Sequence, residues 1–206
     1  IHDALAGNLC RCTGYRSIVD AARQERVFTE KKVIPKNLLR KQLDSNVPCN
    51  QIEFDVDKDW LLDKALKCER KQFYHHGRKE EKVEGYKYAH ISYPELEIMV
   101  GENGLNLNCK YNMKFVFIAP NATISWHKDW GTKCAFNWVI NGNKAAIRYS
   151  NGQEGAQLDY AYKSALINTQ EEHMVQNNDK ERILFKISIF DRSYEEICNK
   201  FNSRFM

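Results

Sequence analysis

Between Ser125 and Trp130 the chain reads Ser-Trp-His-Lys-Asp-Trp, which sets an imidazole and a carboxylate two residues apart. On an extended backbone, positions i and i+2 face the same way, so His127 and Asp129 can converge on one point. Together they make half of a metal site. A second histidine from another strand completes a two-histidine, one-carboxylate set, which holds a metal and leaves three coordination positions on one side of it open. The chain has six histidines. His2 lies in the front segment, His75 and His76 in a polar stretch read as a loop, and His90 in an early strand. His173, in Glu-Glu-His-Met-Val-Gln-Asn, lies far enough downstream for a folded-back core to return it to His127.

Arg182 follows shortly and opens the stretch Arg-Ile-Leu-Phe-Lys-Ile-Ser-Ile-Phe. A period of two places Arg182, Leu184, Lys186 and Ser188 on one face, and Ile183, Phe185, Ile187 and Ile189 on the other. A guanidinium beside a metal histidine suits a bidentate grip on a carboxylate. Lys186 shares the face and is the alternative anchor. Each feature alone has an ordinary explanation: a chance His-x-Asp pair, a structural histidine, a strand-end surface charge. In this order, on strands of one core, they reinforce one another.

The elements that must position these residues change character along the chain. Residues 1–24 read as a helical segment around a Gly-containing turn, and 25–59 as linker or irregular, broken by Pro35 and Pro48. Apolar spacing at 61, 62, 65 and 66 predicts a helix from Trp60 to about Phe73, followed by a polar loop. After residue 86 come short runs separated by Gly, Asn, Asp or Pro: 86–91, 95–100, 114–120, 123–127, 134–140, 145–150, 158–167, 172–177 and 182–190. Such spacing signals a sandwich or barrel rather than a parallel sheet. Ser193, with Glu195 and Glu196 behind it, predicts a capped C-terminal helix.

Composition sets the outer bounds. An apolar fraction of 43% and an aromatic fraction of 12% suit a folded globular domain. A net charge of +4, evenly spread, gives no strong nucleic-acid signal. No apolar run is long enough to span a membrane and no signal peptide is visible, so a cytoplasmic setting is expected. Seven cysteines, an odd number, do not form the framework of a small secreted protein; Cys49, Cys68, Cys109, Cys134 and Cys198 read as reduced thiols.

His-x-Asp, a distant histidine and an arginine about one hairpin later resemble the Fe(II)/2-oxoglutarate-dependent oxygenases over residues 86–192. Within that superfamily, Ile167 to Phe190 is most similar to the aspartyl/asparaginyl β-hydroxylase-like branch. Asp129 is a departure, because true aspartyl hydroxylases lack the metal carboxylate. The resemblance implies a mainly β fold, a double-stranded β-helix (jelly roll, cupin-like) over 60–206 with flanking helices. It implies Fe(II) held by His127, Asp129 and His173, and Arg182 on the distal carboxylate of 2-oxoglutarate. Asn137, Tyr149 and Thr169 are then candidates to hydrogen-bond 2-oxoglutarate or substrate, with Trp126, Trp130 and Trp138 as apolar walls. The activity implied is hydroxylation by O2, with release of succinate and CO2. The primary substrate stays open among a peptide side chain, a nucleotide and a small acid. A non-catalytic cupin-like metal-binding protein is the bland alternative.

Residues 1–23, with Gly-Asn-Leu-Cys-Arg-Cys-Thr-Gly-Tyr, resemble a second family: the C-terminal half of the [2Fe-2S]-binding domain of xanthine dehydrogenase-type molybdenum hydroxylases. That resemblance implies iron–sulfur ligation by Cys10 and Cys12 together with a C-x-x-C pair. A cluster needs four ligands, and no C-x-x-C occurs in these 206 residues. The expectation is therefore a vestigial half-site from a fragment or fusion, with no cluster bound by this chain alone. An electron-transfer subunit fragment is the alternative function.

Overall fold

Alternating apolar and polar side chains dictate strands, and strands dominate the computed structural model, which describes residues 42–52, 56–74, 82–93, 109–141, 145–150 and 157–203. In chain order these hold β1 (Cys49–Gln51), α1 (Lys58–Lys67), β2 (Lys71–Tyr74), β3 (Lys82–Ile91), β4 (Tyr111–Ile118), β5 (Thr123–His127) and β6 (Cys134–Val139). Then follow β7 (Ala145–Ser150), β8 (Gln157–Tyr162), β9 (Ser164–Asn168), β10 (His173–Gln176), β11 (Arg182–Ile189) and α2 (Tyr194–Asn202). One sheet has the order β1-β9-β6-β11-β4-β3-β2 and the other β5-β10-β7-β8. The pairings are antiparallel, as full-length parallel crossovers would not fit these short connections.

Two apolar layers follow from the alternation. One face of the large sheet supplies Phe115, Phe117, Phe136, Trp138, Phe185 and Ile187 to a core that Leu61 and Ala65 of α1 and Ile197 and Phe201 of α2 close from outside. The opposite face supplies Val116, Ile118, Val139 and Leu184, which meet Ile124, Ile147 and Tyr149 of the small sheet. The molecule is thus a mainly β jelly roll with helices packed outside its larger sheet. β11 lies between β4 and β6, and all eight of its residues are buried. Its two faces carry the alternation read from sequence.

The helices start where capping chemistry allows. The Asp57 carboxylate accepts from Trp60 N at 3.0 Å and opens α1. Ser193 and Glu196 form a reciprocal capping box at α2. α1 stops at Lys67, short of the expected Phe73: Glu69 and Arg70 break the apolar spacing after Cys68, and Lys71–Tyr74 pairs with β3 instead. Lys82–Tyr86, expected in the polar loop, forms the start of β3. Within the stretch expected to be irregular, Cys49–Gln51 adds an edge strand to β9. The run 158–167 is split at Lys163, so that β8 ends the small sheet and β9 enters the large one. The expected strand at 95–100 lies outside the described residues, as do residues 1–24 with Cys10 and Cys12, and His75 and His76.

Candidate metal centre

His127 ends β5 and His173 begins β10, and the two are direct cross-strand partners. Their rings lie 4.3 Å apart. A register irregularity between His173 and Val175 marks a bulge in β10, a device that re-aims a side chain at a strand end. Each imidazole is fixed from behind. His127 Nδ1 lies 2.7 Å from Ser125 O and His173 Nδ1 2.8 Å from Glu171 O, so in each ring Nδ1–H donates to a carbonyl and Nε2 keeps its lone pair. Both Nε2 atoms face Asp129 Oδ1, at 3.5 and 4.0 Å. One ligand atom from each of the three residues falls within 4.8 Å of the others, and two nitrogens with one carboxylate oxygen are a donor set suited to Fe(II).

The turn after β5 carries Asp129 and is latched to the turn between β9 and β10. Asp129 N donates to Thr169 O at 2.9 Å. The Thr169 hydroxyl donates to Thr132 O at 2.7 Å, and Gln170 Nε2 donates to Asp129 O and Thr132 O at 2.9 and 2.6 Å. The other oxygen of Asp129 accepts from Lys186 Nζ at 3.0 Å, reaching across to the large sheet. Burial works against the Asp129 charge, but the Lys186 ammonium and the two imidazoles hold its carboxyl well below the usual carboxylate range. Burial likewise opposes the Lys186 charge, and Asp129 with Tyr86 more than offsets it. Burial, reinforced by His127, pushes His173 down to about 4, so its ring is neutral at pH 7, as a metal ligand must be.

These residues face a cavity of about 900 Å³ between the two sheets. Arg182 enters it from the far end of the same β11 face, with only 8% of its surface exposed. Its Nη1 donates to Ala146 O at 3.2 Å and Nη2 to Gln176 O at 3.4 Å. Burial lowers its pKa, and among the described residues no carboxylate pairs with it. A buried guanidinium with spare donors and no acid partner is an anion anchor in waiting. Lys186, the alternative anchor, is engaged by Asp129. Asn137 also lines the cavity; its Nδ2 donates to Tyr162 Oη at 3.2 Å and its buried Oδ1 has no partner among the described residues. Tyr149 and Thr169 do not line it. The Tyr149 hydroxyl donates to Asn168 O at 3.1 Å while its ring packs on His173, and the Thr169 hydroxyl serves the latch. Trp126 and Trp130 flank the mouth, Trp130 being 85% exposed, whereas Trp138 is buried on the opposite face of the large sheet.

Sequence reading missed Gln170 and Lys114, and it gave Thr169 a ligand-binding role in place of its part in the latch. The Thr169–Gln170 latch is a contact between two turns, which no local pattern marks. Lys114, half-buried on β4 directly opposite Lys186, also lines the cavity. Burial and the Lys186 charge push it down to about 8, which leaves it mostly cationic at neutral pH. An isolated lysine in Asn-Met-Lys-Phe-Val is read locally as a surface residue; only its inward alternation with Val116 and Ile118 could have flagged it.

No family model matches the sequence. The curated relative found is xanthine dehydrogenase of Oryza sativa subsp. japonica, 78% identical over 23 residues, which are 11% of this chain and 2% of that protein. The chain therefore spans only a small fraction of that relative's length. Among solved structures, a prolyl hydroxylase of Trichoplax adhaerens, in complex with a peptide fragment of the hypoxia-inducible factor oxygen degradation domain, aligns with a TM-score of 0.52. It is 11% identical, over 90% of this chain and 96% of that one. A prolyl-4-hydroxylase of Pseudomonas putida aligns with a TM-score of 0.50 and 13% identity, over 69% and 92%. At these identities the likeness is one of fold. Among the described residues, no helix is long and apolar enough to cross a membrane, and the five described cysteines are free.

Proposed function

We propose that this chain is a non-haem Fe(II)- and 2-oxoglutarate-dependent oxygenase that hydroxylates a substrate with release of succinate and CO2. The observation that carries the reading is that His127, Asp129 and His173 converge at one point of a cavity that Arg182, a buried cation without an acid partner among the described residues, also lines. The two imidazole nitrogens and the Asp129 oxygen would hold Fe(II). When bound, iron supplies the activation of O2 that 2-oxoglutarate decarboxylation drives and that C–H hydroxylation requires.

The protein's own residues then have separable tasks. Ser125 O and Glu171 O keep the two rings in the tautomer that points Nε2 inward. The Thr169–Gln170 latch holds the turn that bears Asp129, and Lys186 orients the carboxylate from the large sheet. Arg182 grips the distal carboxylate of 2-oxoglutarate with donors left over from its two backbone bonds. Val116, Ile118, Ile147 and Leu184 line the space between and keep it dry, which strengthens every charge interaction there.

The direct test is anaerobic addition of Fe(II) and 2-oxoglutarate to the metal-free protein, followed by visible absorption. The expected result is the weak charge-transfer band of a 2-oxoglutarate chelate, absent in His127→Ala and Asp129→Ala. Metal binding without the band sinks the oxygenase reading in favour of a non-catalytic cupin-like site. In Arg182→Ala, full 2-oxoglutarate affinity would remove Arg182 from its role.

A further inference from the structure

Across the inner face of the large sheet runs one row of polar side chains. Asn137 on β6, Lys186 on β11, Lys114 on β4 and His90 on β3 are successive direct cross-strand partners. Like charges directly opposite on a sheet destabilise it, so Lys114 beside Lys186 needs a reason. Lys186 has Asp129, whereas Lys114 has no hydrogen-bond or ion-pair partner among the described residues. The next row pairs Asn112 with Ser188. Asn112 Oδ1 and Ser188 Oγ are buried and unpartnered, as is Oδ1 of Asn137, a residue only 4% exposed.

Charge balance points the same way. Among the described residues, four cationic side chains, Lys114, Lys128, Arg182 and Lys186, face the cavity against the single carboxylate of Asp129. A divalent metal and doubly charged 2-oxoglutarate cancel each other, so the excess of positive charge survives loading. Lys186 is taken by Asp129, Arg182 lies four residues away along β11, and Lys128 is exposed at the mouth. Lys114 is left as the inner cation for the molecule to be oxidised.

Resting on the oxygenase reading above, we propose that Lys114 forms the anion subsite for the primary substrate, which is a small carboxylic acid whose carboxylate pairs with Lys114 Nζ. Asn112 Oδ1 and Asn137 Oδ1 accept hydrogen bonds from a hydroxyl or amine of the same molecule. A single lysine ammonium suits the two oxygens of a monoanionic carboxylate, and the amide acceptors beside it suit a donor elsewhere on the molecule. The three acceptor oxygens of a phosphate ester demand more donors than this row offers. Trp126 and Trp130 at the mouth, and Val116 within, contact the apolar part of the acid.

The test is calorimetric titration of the full chain, loaded with Mn(II) and saturating 2-oxoglutarate so that the metal and Arg182 are occupied. The probes are phenylacetate, its neutral isostere phenylacetamide, and phenyl phosphate. Phenylacetate is expected to bind at least tenfold tighter than phenylacetamide, the preference being lost in Lys114→Met and kept in Lys114→Arg. Equal binding of acid and amide, or a preference that survives Lys114→Met, overturns the subsite. Tighter binding of phenyl phosphate overturns the carboxylate assignment. If Mn(II) and 2-oxoglutarate fail to bind the wild type, the oxygenase reading falls by itself. The phenylacetate preference, measured on the bare protein with Arg182→Met as a control, then still decides the role of Lys114.

Discussion

A half-buried lysine beside another lysine is a liability to the fold, and Lys114 shows it. Its folded pKa of about 8 lies below the ordinary 10.5, chiefly through burial and then the Lys186 charge. Between those two pH values the unfolded chain holds a proton on this residue and the folded protein does not. Stability therefore rises with pH across that window, and the penalty is fully present below pH 8. Lys114→Met should stabilise the protein by about 2 kcal/mol at pH 7, and the gain should shrink towards zero as pH approaches 10.5. Urea unfolding of both proteins at pH 7, 9 and 10.5 reads this directly; a variant no more stable than wild type at pH 7 would mean that water already satisfies the lysine. At this scale the sequence was most informative about residues whose chemistry is rare. His127, Asp129, His173 and Arg182 stood out by type and order, and their side chains meet at one cavity. Lysines and asparagines are too common to stand out, so Lys114 was not seen and Asn137 was named on the same footing as Tyr149 and Thr169. What separates those three is where their polar atoms point, which depends on the register of strands far apart in the chain.

Elements convert that chemistry into geometry. β11 is the axis of the large sheet, and its outer face stacks Phe185 on Trp138 at 5.3 Å with Phe115 at 6.2 Å. Phe185 is fully buried, so Phe185→Ala removes a large side chain that its neighbours cannot replace, and should cost about 3–5 kcal/mol in chemical denaturation. The same loss would loosen Arg182 and Lys186, which point to the opposite side of the same strand. The latch between the turns at 128–132 and 169–170 predicts a different kind of defect. Gln170 is exposed, so Gln170→Leu should leave the melting temperature nearly unchanged. It should still weaken Mn(II) binding about tenfold, because the ligand turn loses two hydrogen bonds. Unaltered affinity in a calorimetric titration would show that Lys186 and the Asp129–Thr169 backbone bond suffice. Strands were legible because their alternation is local: 123–127 and 145–150 were read with their observed bounds. The helix expected to reach Phe73 ended at Lys67, since Phe73 belongs to a strand whose partner supplies its reason to exist. Likewise, nothing local in 158–167 says that the chain changes sheets at Lys163.

For the whole molecule, the site adds a polar tie between two sheets that an apolar core already joins. The ligands come from the end of β5, the turn after it and the start of β10, all at one end of the small sheet, and Asp129 reaches the large sheet through Lys186. Gly85, at φ 71°, brings β3 against the turn that leads into β5; a Cβ there would come within 2.6 Å of Ala122 Cβ. An ion held by all three ligands therefore binds only the folded arrangement, and by mass action it must stabilise that arrangement. At a hundred times its dissociation constant a metal contributes about 2.7 kcal/mol. For a domain of this size each kcal/mol raises the melting temperature by roughly 2–4 °C, so Mn(II) should raise it by about 5–10 °C. Asp129→Ala should show no such rise, because removing the carboxylate also leaves the Lys186 ammonium buried without its partner. Calcium, which prefers a larger shell of oxygen ligands, should shift the wild type far less than Mn(II). A Mn(II) shift equal in the wild type and Asp129→Ala would place the binding ion elsewhere on the molecule, and the three convergent side chains would then be a polar cluster held by Lys186 and the backbone bonds behind the two rings.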